Sequence, residues 1–402
     1  MKVLLAHNFY QSSSPSGEDV VCRNEAELLK NMAVEVVSYE RHNDNISGTF
    51  GKIETTFSMV WSKKTYHEVA ALIKQEKPDL AHFHNIWYLI SPSAYYACRD
   101  AGVPVVQTLH NFRIFCANGL LLRDGRVCND CLGRPPWRSV LHGCFRGSRF
   151  SSLPVAITEA FHQFRRTWTD RVDAYIALTV FARNKLIEGG LPGEKIFVKP
   201  NFLREPTNFI NTSRDYAVFI GRLSKEKGVD VLIDALKSLE SPNPRSREPF
   251  SLKVIGDGPL RQSLEEKVRT QGLEQTVEFL GKRGHAECMQ LLREARFLIV
   301  PSICYENFPL TIVEAFACGK PVVASNHGAM TAIIEHRKTG LLFEPGDAAD
   351  LAEQIQWMTE NRDACIEMGK NAHAEFEAKY TASRNFEVLM DIYRMTIARN
   401  NA

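Results

Sequence analysis

The stretch FLIVPSICYENFPLTIVEA, Phe297 to Ala315, holds a strand, a loop and the start of a helix. FLIV is a short, unbroken apolar run closed by Pro301, which suits a strand buried on both faces. ICYENF reads as a loop, and Pro309 fits the first turn of a helix over Leu310–Cys318. Its two acids, Glu306 and Glu314, then fall in different places. Glu306 lies in the loop beyond the strand, and Glu314 lies about one turn inside the helix.

The same strand-then-helix unit recurs in both directions along the chain. VLLA, VEVVSY, LAHFH, PVVQTLH and AYIALT are strand candidates in the first half, and AVFIG, LKVIG, VEFLG, FLIVPS and PVVAS in the second. Helical patterns separate them at Gly17–Met32, Lys64–Glu76, Val229–Leu239 and Pro259–Gln271. Apolar strands alternating with helices predict parallel sheets covered on both faces, an α/β chain. The pattern runs twice, with a break near VKPNFLREPTNFINTSRD, residues 198–215. The expected domains are 1–205, with a cysteine-rich insert at 111–150, and 206–380. A final helix within 381–402 is expected to pack back on the first domain. SPNPRSREP, 241–249, reads as an exposed loop.

With 402 residues the chain suits two domains. It is 44% hydrophobic and 24% charged, the balance of a soluble globular protein. The opening MKVLLAHNFY breaks its apolar run at His7-Asn8, so it predicts a first strand rather than a signal peptide, and a cytoplasmic protein. Net charge is only +2, but residues 113–171 hold ten Arg, no Lys and four acids. Such a face is either merely solvated or a surface for phosphates or anionic lipid.

GRLSKEKG, 221–228, follows the strand AVFI and precedes a helix. Arg222 and Lys227 thus sit at the carboxyl end of a parallel strand, where open α/β sheets bind ligands. Two cations beside a helix start suit a diphosphate, although basic loops are often only solvated. VIGDGP, 254–259, places Gly256 in another such turn, a weak signal when taken alone. The loop after Glu306 can offer backbone N–H groups to a ligand's oxygens at Asn307, Phe308 and Leu310. Two ordinary surface acids are the plainer account of Glu306 and Glu314.

Arg222 and Lys227, then GDGP, then Glu306-x7-Glu314, then GKPVVAS and TGLLFEPGD, in this order, resemble the retaining glycosyltransferases of family 4. The resemblance covers essentially the whole chain and is strongest from Tyr216 to Asp347. It implies the GT-B fold, two Rossmann-like doubly wound domains facing across a cleft. It implies transfer of a hexose-type sugar from a nucleoside-diphosphate sugar to a glycan or lipid-linked saccharide, as in polysaccharide or glycoconjugate synthesis. By the same resemblance Glu306 touches the donor sugar, Glu314 binds the ribose, and Arg222 and Lys227 neutralise the leaving diphosphate. Asn307, Phe308, Pro309 and Leu310 contact sugar and phosphate through backbone. Gly17, in SSSPSGEDVV, corresponds to a glycine-rich loop near the donor phosphates, here with a single glycine. His110, at the end of PVVQTLH, corresponds to a histidine near the reacting carbon. Taken alone, a strand-end histidine is more often structural. His84, in HFHN, also ends a strand. The resemblance implies catalysis without a metal or other cofactor.

Two features fall outside that pattern. Cys116, Cys128, Cys131 and Cys144 have spacing suited to a structural zinc, with His142 as a substitute ligand. Buried free thiols or a disulfide formed on oxidation are the alternatives. Phe161, Phe164 and Trp168 recur at helical spacing near Arg165, Arg166 and Arg171. They form either a core stripe or an interfacial helix on anionic membrane, which would place the protein peripherally on the inner membrane face. The rival functions are a GT-B epimerase or phosphorylase, and a zinc-containing nucleic-acid binder. The second leaves Glu306 and Glu314 unexplained.

Overall fold

The computed structural model describes residues 1–12, 16–46, 56, 58–204, 214–239 and 250–401. The loop expected at 241–249 and residues 205–213 of the break expected at 198–215 lie outside them. The chain divides into two compact units. The first comprises Met1–Leu121, Cys128–Arg204 and Ala382–Ala402, and the second Leu122–Val127 and Glu205–Thr381.

In the first unit, β1 (Lys2–Phe9), β2 (Glu35–His42), β3 (Leu80–Phe83), β4 (Val105–Leu109), β7 (Ala174–Ala177) and β8 (Ile196–Val198) form one sheet. Between β4 and β7 comes a small hairpin, β5 (Leu122–Arg123) and β6 (Arg126–Val127), counted with the second unit. The sheet order is β2-β1-β3-β4-β7-β8, and every pairing is parallel. The second unit's sheet contains β9 (Tyr216–Ile220), β10 (Ser251–Ile255), β11 (Val277–Gly281), β12 (Phe297–Val300), β13 (Val322–Ser325) and β14 (Gly340–Phe343). Its order is β11-β10-β9-β12-β13-β14, again all parallel. Strand order reverses between β1 and β3 in one sheet and between β9 and β12 in the other. Loops beyond the carboxyl ends of those strands are where doubly wound sheets open a ligand crevice.

Burial explains the strands. All four residues of β3, β7, β12 and β13 are buried, so continuous apolar sequence is what each position needs. The first strand differs from its expected reading, because it runs through His7 and Asn8 rather than breaking there. Both side chains are buried and paired, His7 with Asp19 and Asn8 with Asn43. β8 and β14, not among the expected strands, are edge strands of three and four residues. Runs that short carry no readable period.

Helices largely follow their expected spans. Gly17–Asn31, Lys63–Glu76 and Val229–Leu239 are helical. The helix expected from Pro259 begins at Arg261. Pro309 is the cap residue before the helix Leu310–Ala317, in extended geometry, rather than a member of its first turn. The last helix, Ala382–Asn401, is part of the first unit. Its Leu389, Met390, Ile392 and Tyr393 join a core with Val3, Leu29, Leu80, Val106 and Ile176. The second unit's core gathers Phe219, Leu232, Leu252, Phe297 and Phe343. Among the described residues no helix is long and apolar enough to cross a membrane.

Candidate active site

In the second unit, β9 leads into Gly221–Gly228 and β12 into Pro301–Pro309. The two loops pack tightly. Gly228 has φ +66°, and a Cβ there would lie 2.0 Å from the Pro301 carbonyl oxygen. Ile303 N–H donates to the Glu226 carbonyl at 2.9 Å. This contact brings Lys227 to Glu306. The lysine Nζ donates to Glu306 Oε1 at 2.6 Å, and Ser302 Oγ donates to the same oxygen at 2.7 Å. Oε2 stays outside both bonds.

The pair decides both charges. Burial pulls the Lys227 ammonium down, but Glu306 outweighs this and holds it above the ordinary lysine value. Burial pushes the Glu306 carboxyl up, but Lys227, then Ser302, hold it below the usual carboxylate range. Both are therefore ionised at neutral pH. His327 braces the loop from the far side, with Nε2 2.9 Å from the Ser302 carbonyl oxygen and its ring edge-on to Tyr305.

Glu314 is the fifth residue of the helix Leu310–Ala317, and its side chain is only 14% exposed. Burial raises its carboxyl above the usual range, and the imidazole shown beside it, His285, is 3.7 Å away and mostly exposed. A carboxylate so placed gains from hydroxyl donors, such as those of a ribose. Asn307, Phe308 and Pro309 lie between the two glutamates, and Leu310 opens the helix. N–H groups at a helix start lack intrahelical partners.

Arg222 is exposed on the same loop as Lys227. Gly256 has φ +140°, and a Cβ there would lie 1.8 Å from the Gly221 carbonyl oxygen. The close approach that glycine permits is thus to Gly221, and it seats the loop carrying Arg222. Leu223 N–H donates to the Asp257 carbonyl at 3.0 Å and completes that seat.

In the first unit, the carboxyl ends of β1, β3 and β4 gather a second set of polar residues. His110 follows β4 and His84 follows β3. His84 Nδ1 is 2.9 Å from His110 Nε2, and the two rings stack. A small cavity beside them is lined by Glu18, Asn85, His110 and Asn111. Asn111 Nδ2 donates to Glu18 Oε1 at 2.7 Å. Gly17 opens the first helix, exposed, with nothing within 4 Å of where a Cβ would stand. Sterics do not require glycine there.

Sequence reasoning passed over Glu18, Glu25, His82 and Lys199. Lys199 carried a weak signal, a lysine within the apolar stretch IFVKP, which must meet an acid if buried. Glu25 lies mid-helix with no such mark.

The four cysteines are half-buried and not joined in disulfides. Among the described residues, the one group of three His, Cys, Asp or Glu whose ligand atoms lie within 4.8 Å of one another is Glu25, His82 and His84. A tetrahedral zinc with bonds of about 2.3 Å needs its sulfurs within about 4 Å of each other. The cysteines as placed do not fit that ion. Burial pushes the Cys131 thiol up to about 12, with Cys116, Glu159 and Cys144 adding to the shift. The aromatic stripe is also split. Phe164 ends the helix Arg149–Phe164 and is 86% exposed, while Trp168 is buried in a separate short helix.

Residues 19–204 match the model of Glycosyltransferase Family 4, and residues 204–375 that of Glycosyl transferases group 1. An uncharacterised glycosyltransferase of Methanocaldococcus jannaschii is 26% identical over 385 residues, which is 95% of this chain and 94% of that protein. The amylovoran biosynthesis glycosyltransferase of Erwinia amylovora is 29% identical over 221 residues, 52% of this chain and 53% of its own. Among solved structures, Anabaena HepE in complex with UDP and glucose is similar with a TM-score of 0.65 at 21% identity, covering 98% of this chain and 99% of its own.

Proposed function

We propose that this chain, which belongs to glycosyltransferase family 4 and has the GT-B fold, moves a hexose-type sugar from a nucleoside-diphosphate donor to a glycan or lipid-linked saccharide, with retention of anomeric configuration. The observation that carries the donor assignment is the Lys227–Glu306 pair at the switch point of the second sheet. Breaking the bond from sugar to phosphate builds negative charge on the diphosphate. Lys227, Arg222 and the helix start at Leu310 supply fixed positive charge and N–H donors to meet it. No cofactor enters this reading. Glu306 Oε2 accepts from the sugar's hydroxyls, and Glu314 accepts from the ribose. His110 is read as a sugar-contacting residue, as the family resemblance implies. The leaving phosphate oxygen takes the acceptor's proton on the same face, so no side chain has to act as a dedicated base.

UDP-glucose is the first donor to try, since the Anabaena neighbour was solved with UDP and glucose. Transfer to a saccharide acceptor, followed by proton NMR of the new linkage, tests the reading. The donor's α configuration kept in the product supports it, and an inverted product overturns it.

The acceptor side is read as membrane-proximal, because exposed apolar side chains concentrate on one segment. Trp137, Leu141, Phe150, Leu153, Ile157 and Phe164 are all exposed, Phe150 by 91%. Arg138, Arg146, Arg149, Arg165 and Arg166 are exposed among them. An apolar face rimmed by arginine fits an anionic bilayer. Co-sedimentation with phosphatidylglycerol vesicles, weakened in the Phe150→Asp/Phe164→Asp variant, is the expected result. Self-association without vesicle binding would instead assign the face to a second copy.

A further inference from the structure

Behind His110 lies a buried polar chain. Glu25, on the helix Gly17–Asn31, has no exposed side-chain surface, and Lys199 Nζ donates to its Oε2 at 2.7 Å. Lys199 is steadied by Asn385 Oδ1 at 3.2 Å, from the last helix. Glu25 Oε1 is 3.0 Å from His84 Nε2 and 3.1 Å from His82 Nδ1. His84 Nδ1 then meets His110 Nε2 at 2.9 Å.

Proton positions follow in order along this chain. Burial pushes the Glu25 carboxyl up, but Lys199, then His84 and His82, hold it well below the usual range, so it is a carboxylate and only accepts. His84 Nε2 must therefore carry a proton. Burial lowers His84 to about 4, so the ring is neutral at pH 7 and its Nδ1 is bare. A bare Nδ1 accepts, so His110 Nε2 carries a proton. Burial, then His84 and His7, hold His110 well below its ordinary value. Its Nδ1, outside the chain, is left as a lone pair.

We propose that Glu25 and His84 are positioning residues that lock His110 as its Nε2-protonated tautomer, making His110 Nδ1 a hydrogen-bond acceptor for a hydroxyl of the bound sugar. The functional half rests on the reading of His110 given above; the tautomer does not. An unlocked imidazole could present N–H or take a proton, and would then no longer accept from a hydroxyl. Glu25, His82 and His84 do not need a metal to account for them. Lys199 already balances the Glu25 charge, and the contacts of about 3 Å from Glu25 to the two histidines are satisfied as hydrogen bonds.

Nitrogen-15 NMR of histidine-labelled wild-type protein reads the tautomer without any substitution. A pyrrole-type Nε2 and a pyridine-type Nδ1 at His110 are expected from pH 6 to 8. The opposite assignment, or an averaged pair of shifts, overturns the proposal. In Glu25→Gln and His84→Phe, checked for folding by circular dichroism, the tautomer signature should be lost. kcat should fall roughly 10–100-fold, the usual range for losing a residue that orients another, with donor KM nearly unchanged. A new ionisation should appear in kcat near neutral pH. Unchanged kcat and pH profile in a folded variant would reduce the chain to structure and overturn the positioning role. If the wild type transfers no sugar to any acceptor, the NMR assignment still decides the tautomer, so the two readings fail separately.

Discussion

Lys227 and Glu306 are each other's counter-charge, and both side chains are partly buried. Lys227→Met leaves Glu306 with Ser302 as the remaining donor shown to it. Losing one charged hydrogen bond should cost about 2 kcal/mol of stability. Losing a cation aimed at developing phosphate charge should lower kcat/KM on the order of 100-fold or more. Urea unfolding and steady-state kinetics on the same variant separate the two effects. Glu306 and Lys227 were each legible as loop residues after strands, but the ion pair between them was not. Glu25 was not, since its partners come from residues 82, 84 and 199, and only tertiary folding joins them.

The buried histidines make a second prediction at this scale. Burial lowers His84 and His162 each to about 4. Their folded values lie below the unfolded value of about 6.5, so between about 4 and 6.5 the unfolded chain binds more protons. Stability therefore falls as pH drops through that window, and is unaffected by these groups above it. From pH 7 to 5 the two should together remove on the order of 3 kcal/mol. Urea unfolding at the two pH values checks this, and equal free energies would contradict it.

At the scale of elements, the site depends on backbones that approach more closely than a side chain allows. Gly256→Ala would drive a methyl into the Gly221 carbonyl and force a φ of +140° on an L-residue. It should destabilise the second unit by roughly 3 kcal/mol or more and loosen the Arg222 loop. Circular dichroism melting and donor affinity of this variant are the measurements. The turn at VIGDGP was visible in the sequence, but not the backbone that Gly256 approaches. Long helices were readable because their apolar period spans several turns. β8 and β14 were not, being too short for a period. The cysteine insert was read from spacing alone, and spacing fixes neither side-chain direction nor distance.

For the molecule as a whole, the two-fold recurrence of strand and helix carried the fold, since ten of the twelve parallel strands described in the two sheets leave a readable apolar mark. The last helix is the long-range link. Deleting Ala382–Ala402 strips Leu389, Met390, Ile392 and Tyr393 from the first unit's core and removes Asn385 from Lys199. Residues 1–204 should then become protease-sensitive while Tyr216–Tyr380 resists. Equal resistance of both units would show that the helix is dispensable. The central claim is that the second unit binds a nucleotide sugar through Glu306. The most direct test is calorimetric titration of wild type and Glu306→Gln with UDP-, GDP- and ADP-sugars. The account predicts that one donor binds the wild type and binds the variant at least about tenfold more weakly, the loss of one charge-assisted hydrogen bond. A donor bound equally by both, or none bound by the wild type, would contradict it.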